Sequence, residues 1–350
     1  MSKVHNFSAG PAILPKEVID NCISALQNFE NTNLSLIEVS HRSKEFVAVM
    51  DEACSLVKKI MNLGDDYDVI YMQGGASTQF LMTAFNLLEN KAAYTNTGTW
   101  AKKAIKEAKH TGTVDILGSS EDKNFSYIPK NFEISSDYDY FHCTSNNTIS
   151  GTQMQSFPEC NVPLVCDMSS DIFSRELDFS QFDLIYAGAQ KNMGPAGTTL
   201  VVIKKGLLGK VTRYIPTMLD YRTHIDKESM FNTPSVFAVY GCMQTLRWID
   251  KMGLATIEKL NTEKAELLYN EIDGNELFQG TTAVEDRSKM NITFILKDDS
   301  RNDDFLKSCA DANISGIKGH RSVGGFRASM YNALGLDSVE ALVSVMKTFK

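Results

Sequence analysis

Apolar residues recur at helical spacing from Pro15 to Phe29, through Val18, Ile19, Cys22, Ile23, Leu26 and Phe29, and this predicts a helix. Ser43 stands as the cap of a second helix from Lys44 to Met61, carrying Phe46, Val47, Val49, Met50, Leu56, Val57 and Ile60. Tyr67 to Met72 is a short apolar run suited to a buried strand. Gly74-Gly75 and a helical stretch from Ser77 to Leu88 follow it at once. The rhythm continues with a strand at Ala92–Thr95, a helix at Trp100–Lys109, and strands at Val114–Leu117, Tyr138–Thr144, Pro163–Cys166, Asp183–Tyr186 and Thr199–Ile203. Buried strands alternating with helices imply an α/β fold, a mostly parallel sheet covered on both faces. In such sheets ligands bind beyond the carboxyl ends of the strands.

Two long helices, Pro234–Met252 and Leu254–Ile272, meet at Lys251-Met252-Gly253, where a domain boundary is expected. Beyond it the pattern changes to a strand at Asn291–Leu296, a helix around Asp303–Ala312, a strand near Gly325–Met330 and a closing helix from Asp337. That pattern reads as a small C-terminal α+β domain. The expected division is a large domain of residues 16–250 and a small one of 251–350, joined by the N-terminal segment 1–15.

The 350 residues are 43% apolar and 22% charged, ordinary for a globular protein with a sizeable core. A net charge of −8 argues against nucleic acid, whose backbone needs clustered lysine and arginine. It leaves room for small anions, because the local field decides such binding. The seven cysteines are irregularly spaced without a C-x-x-C, so neither a zinc ribbon nor a redox pair is suggested and no metal is expected. Reduced thiols in a cytoplasm are the expectation. No signal-peptide shape opens the chain, and no apolar run approaches about 18 residues.

Candidate chemistry starts at Tyr186-Ala187-Gly188-Ala189-Gln190-Lys191-Asn192. There an apolar strand runs into a loop of small residues holding one lysine. Small residues let backbone approach a ligand closely, and a desolvated, neutral lysine forms Schiff bases. A solvated surface lysine is the plain alternative. Asp167 ends the strand Val165-Cys166-Asp167, 24 residues before Lys191 (191 − 167). One strand–connection–strand step spans that distance. Such an aspartate either pairs with a pyridinium nitrogen or simply caps a helix. Gly74-Gly75-Ala76-Ser77 before a helix makes a backbone cradle for phosphate, and it matches neither a Walker A nor a G-x-G-x-x-G fingerprint. Trp100 beside the turn Gly98-Thr99 either stacks on a flat ring or belongs to the core.

The order phosphate loop, aromatic, aspartate, lysine resembles that of fold-type-I pyridoxal-phosphate enzymes. Longer matches narrow the resemblance to the phosphoserine aminotransferases of class V. These are Phe7-Ser8-Ala9-Gly10-Pro11-Ala12, Glu38-Val39-Ser40-His41-Arg42-Ser43, the Lys191 segment, Met230-Phe231-Asn232-Thr233-Pro234, Lys318-Gly319-His320-Arg321 and Gly324-Gly325-Phe326-Arg327-Ala328-Ser329. They span essentially the whole chain. The resemblance implies transamination between L-glutamate and 3-phosphohydroxypyruvate, a ping-pong reaction of L-serine biosynthesis. It implies pyridoxal 5'-phosphate held as an imine by Lys191, with Asp167 facing the ring nitrogen, Trp100 stacked on the ring and Thr148 touching the cofactor. Ala76, Ser77 and Gln190 would hold its phosphate, helped by Asn232 and Thr233 of a second subunit. Arg327 would take the substrate α-carboxylate. His41, Arg42, His320 and Arg321 would take the distal anion, the last two from the partner of a homodimer with shared active sites. The family's occasional arginine at the position of Ser77 is missing here.

Rival readings remain on this scaffold. A cysteine desulfurase needs a nucleophilic cysteine on a loop, and Cys309 falls in a predicted helix. An alanine–glyoxylate type aminotransferase has no use for the His41-Arg42 and His320-Arg321 pairs. A non-catalytic binding protein would have no need of both Lys191 and Asp167. A nucleotide-binding protein would carry one of the missing fingerprints.

Overall fold

A computed structural model of the chain describes residues 3–350. In chain order its elements begin with β1 (His5–Asn6), α1 (Lys16–Gln27), α2 (Lys44–Met61), β2 (Tyr67–Met72), α3 (Gly75–Leu87), β3 (Lys91–Asn96), α4 (Thr99–Ala108) and β4 (Thr113–Ser119). There follow β5 (Phe141–Thr144), β6 (Leu164–Asp167), β7 (Leu184–Gly188), β8 (Thr199–Lys204), α5 (Tyr221–Ile225), α6 (Val236–Met252) and α7 (Leu254–Gly274). The last are β9 (Phe278–Gly280), β10 (Asn291–Leu296), α8 (Asn302–Asp311), β11 (Ile314–Ser315), β12 (Phe326–Ser329) and α9 (Leu336–Thr348).

Seven strands form the large sheet in the order β2-β8-β7-β6-β5-β3-β4. Only β8 runs against its neighbours, β2 and β7. The two reversals cancel, so β2 points the same way as β7. The carboxyl ends of β2, β7, β6, β5 and β3 therefore lie along one edge. Buried side chains alternate between the faces, as the two-residue period of a strand requires. Ile185, Leu200 and Val202 join the core under α1, α2 and α6. Leu184, Val201 and Ile203 join the core under α3, α4 and α5.

The helices begin and end where their residues allow. Ser43 Oγ accepts the Phe46 N–H at 3.3 Å, and Asn62, left-handed at φ 52°, closes α2. Gly253, at φ 76°, separates α6 from α7. The expected strand from Tyr138 starts only at Phe141. Just before it, the Asp139 carboxylate is turned aside to receive the N–H groups of Glu89, Asn90 and Lys91.

A second core gathers around the three-stranded antiparallel sheet β12-β10-β9. Phe305 of α8 sits among Phe326 at 4.8 Å, Phe278 at 5.2 Å and Phe349 at 5.3 Å between ring centroids. The N-terminal segment belongs here, since β1 pairs in parallel with β11 and Phe7 is fully buried in this core. The short elements β1, β9, β11 and α5 are too brief to show a period in sequence. No helix among the described residues is long and apolar enough to cross a membrane.

Phe305 is fully buried and makes edge-on contacts all round. Phe305→Ala should therefore lower unfolding free energy by about 3–5 kcal/mol, read from denaturant melts. A loss under about 1 kcal/mol would mean the site collapses around the gap.

Candidate active site

Four neighbouring strands deliver the chemistry to one edge. β7 ends at Gly188 and turns through Ala189-Gln190 to Lys191, and β6 ends on Asp167 itself. The chain beyond β5 carries Thr148, and the chain beyond β3 opens α4 with Trp100. Residues far apart in sequence meet because parallel strands end together.

The Lys191 amine donates to Thr148 Oγ1 at 2.8 Å and lies 6.0 Å from the Trp100 ring centroid. Burial pushes its pKa down to about 8; Asp167 pulls it up, Arg327 pushes it down, and Asp171 pulls it up more weakly. Asp167 is also buried, and burial raises its carboxyl above the usual range. Its bonds to Ser169 and the charge of Lys191 oppose that rise. Both Ser169 bonds, from N–H at 2.9 Å and Oγ at 2.6 Å, fall on Oδ1. That leaves Oδ2 for an N–H in the cleft.

Arg327, in β12 of the smaller core, reaches the same point from the other side. Its NH1 donates to the Thr148 carbonyl at 3.3 Å, and its Nε is buried without a partner. Burial lowers its pKa, opposed by the Tyr331 phenol. No carboxylate forms an ion pair with it among the described residues. A half-buried guanidinium with unspent donors suits a planar anion.

The phosphate cradle is the start of α3. Gly74 and Gly75 are left-handed, at φ 94° and 66°, which only glycine adopts freely. A Cβ on Gly74 would strike Thr78 Oγ1 at 2.0 Å, whereas one on Gly75 would meet open space. No side chain caps this 13-residue helix, so its first N–H groups remain available to an anion. The cradle is tied to the lysine turn through Thr198. Its Oγ1 donates to the Met72 carbonyl at 3.1 Å, and its carbonyl accepts the Ala189 N–H at 3.1 Å. Lysine, free carboxylate oxygen, aromatic face and helix start match the aldehyde, ring nitrogen, ring and phosphate of pyridoxal phosphate. The residues present fit that group.

The remaining expected residues are placed as follows. Ala76 and Ser77 lie in the first turn of α3 and Gln190 in the lysine turn. The Asn232 amide donates to Gln73 Oε1 at 2.9 Å, so Asn232 and Thr233 stand beside the cradle of their own chain. His320 lines a cavity of about 510 Å³ together with Arg327 of the same chain. Its Nδ1 accepts the Ser322 N–H at 3.3 Å, so a neutral ring carries its proton on Nε2. Burial and the cations Arg327, Arg321 and Lys103 hold His320 below the usual range. Arg321 is exposed, and so is Arg42, whose Nε donates to His41 at 3.3 Å. Neither His41 nor Arg42 lines that cavity. Cys309 is fully buried in α8, its thiol pushed up to about 12 by burial, which suits no nucleophile.

Sequence reasoning missed the supports. Asp171 is buried behind Asp167, bonded to Ser145 and to Gln153 at 3.0 Å, with burial raising its carboxyl. Asn192 Oδ1 accepts the Asn332 N–H at 3.0 Å and ties the lysine turn to the smaller core. Gly10 lies against the Lys191 stem, and the Ala12 N–H donates to the Gln190 carbonyl at 2.9 Å. Gly10, Ala12 and Asn192 lie in motifs that carried the resemblance, and Ser169 in an Asp-x-Ser turn; Asp171 had no such signal.

The family model for Aminotransferase class-V matches residues 4–342. A Flavobacterium johnsoniae protein called phosphoserine aminotransferase is 61% identical over 352 residues, covering 99% of each chain. A solved phosphoserine aminotransferase from Bacillus circulans subsp. alkalophilus is 42% identical with a TM-score of 0.96, over 99% of this chain and 98% of that one. The PLP-bound enzyme from Trichomonas vaginalis is 36% identical with a TM-score of 0.93, over 99% of this chain and 100% of that one.

With Lys191 held near pH 8 by burial, its reaction with a small aldehyde should rise with pH and level off above about 8. Asp167→Asn removes the charge that pulls this pKa up, so the midpoint should move lower. An unmoved midpoint would show that the two groups do not interact.

Proposed function

This chain belongs to the class-V aminotransferase family, and on that premise we propose how its residues divide the work of a phosphoserine aminotransferase. The reaction moves the amino group of L-glutamate to 3-phosphohydroxypyruvate, giving 2-oxoglutarate and O-phospho-L-serine for L-serine biosynthesis. Pyridoxal 5'-phosphate is the cofactor, and its ring accepts the electron pair left at substrate Cα.

The observation that carries the assignment of roles is Thr148, held from one side by Lys191 and from the other by Arg327. An amino acid with its carboxylate on Arg327 presents Cα toward the Lys191 amine. That amine, close to half neutral near pH 8, takes the proton from Cα and returns it to the product side. Asp167 Oδ2 holds the proton on the ring nitrogen, and Trp100 covers the ring face. Ala76, Ser77 and Gln190 hold the phosphate at the start of α3. His320 receives the distal anion in the cleft.

The single chain leaves this pocket short of cations, because neither His41 nor Arg42 lines it. The expected split, with His320 and Arg321 from the partner, is therefore revised: His320 serves its own chain beside Arg327, and in a homodimer with shared active sites His41 and Arg42 would come from the partner, with Asn232, Thr233 and Arg321 at the neighbouring site. Residues 16–250 and 251–350 with 1–15 serve as the two domains, the first contributing Lys191 and the second Arg327. Seven free cysteines suit a reducing cytoplasm.

Adding O-phospho-L-serine to the yellow holoenzyme should shift its visible band. Lys191→Ala should lose at least about a hundredfold in kcat, and ordinary turnover in that variant would end the assignment. Arg327→Ala should weaken phosphoserine and glutamate alike, since both present an α-carboxylate; a loss confined to one substrate would assign it elsewhere. Mixing Lys191→Ala with Arg42→Ala chains should restore about a quarter of wild-type activity if sites are shared across a two-fold. No recovery would place Arg42 at the active site of its own chain.

A further inference from the structure

The cleft beside Arg327 has a second full cation. Its cavity of about 510 Å³ is lined by Lys123, Ser126, Ser150, His320, Ser322 and Arg327 among others, and by no aspartate or glutamate among the described residues. For a chain with net charge −8 this is a local reversal of sign. The volume suits a small ligand.

Lys123 comes from the loop after β4, and its neighbours leave it unspent. Glu121 is paired with Lys102 and accepts from Asn96 at 3.2 Å, while Asp122 accepts the Tyr127 hydroxyl at 2.8 Å. Lys123 makes no ion pair among the described residues and rests 5.6 Å from the Tyr127 ring centroid. The loop is pinned both to itself and to the smaller domain. The Phe125 N–H donates to the Ser120 carbonyl at 2.8 Å, and the Ala283 N–H donates to the Ser126 carbonyl at 2.8 Å. The ammonium is thus carried on an anchored turn that bridges the two cores.

We propose that Lys123 is a further specificity-determining residue, which faces the distal anion of the substrate across the cleft from His320 and favours phosphate over carboxylate. This rests on the phosphoserine aminotransferase reading. The preference follows from charge: Coulomb attraction to a dianion is about twice that to a monoanion at equal distance. Arg327 takes the α-carboxylate common to both substrates and cannot distinguish them.

The test is steady-state kinetics of the holoenzyme and its Lys123→Gln, Lys123→Arg and Lys123→Glu variants, with O-phospho-L-serine and L-glutamate. An exposed pair of this kind gives Lys123→Gln a loss of about fivefold in kcat/KM for phosphoserine and about twofold for glutamate. The loss should appear in KM with kcat unchanged. Lys123→Arg should stay within twofold of wild type, and Lys123→Glu should lose more than Lys123→Gln. The inhibition constant of inorganic phosphate should rise about fivefold in Lys123→Gln. Phosphoserine kinetics unchanged in both the Gln and Glu variants, or equal losses for the two substrates, would overturn the proposal. A wild-type holoenzyme inert toward phosphoserine would instead overturn the aminotransferase reading, and this proposal with it.

Discussion

Lys191 has to be an amine and a neighbour of a carboxylate at the same time. Burial alone drives it toward neutrality, and the charge of Asp167 pulls the proton back. The balance near pH 8 depends on Asp167 staying ionised although burial works against it too. Ser169 supports the anion with two hydrogen bonds on one oxygen. Removing water from the carboxylate alone would leave a protonated lysine or a neutral acid. Neither serves a Schiff-base site.

That balance explains where the rest of the polar interior lies. Asp171, Ser145, Gln153, Asn146 and Ser170 form a bonded layer behind Asp167. Polar groups at that depth are tolerated because they satisfy one another. The layer also orders the ends of β5 and β6, and so the loop that carries Thr148. Asn291 joins it from β10 through Asn146 at 2.7 Å, and Lys264 holds the carbonyls of Met330, Tyr331 and Leu334. The smaller core is thereby set against the sheet edge, with Arg327 aimed at the lysine.

Charge is distributed with similar economy. The chain is acidic as a whole, yet the cleft collects Arg327, His320 and Lys123, with no carboxylate lining it among the described residues. Burial, and after it the same positive field, depress His320. Local field, and not net charge, governs which small molecules enter such a cleft.

The long elements were legible in the sequence because their cores are read by period. The 3.6-residue stripe of α2 and the short apolar runs of β7 and β8 demand burial whatever their neighbours. Lys191, Asp167 and the Gly74-Gly75 turn were legible because chemistry and backbone geometry restrict the residues that serve there. The order of strands was not, nor the reversal of β8, nor the pairing of β1 with β11, since two-residue strands carry no period. The meeting of Lys191 and Arg327 on Thr148, residues 43 and 179 positions away from it, left no trace either. Their proximity is a property of which strand ends lie side by side. By itself the sequence determined which residues could do the chemistry; the tertiary structure decided which of them share desolvated space, because burial and distance belong to the packed chain and not to its order.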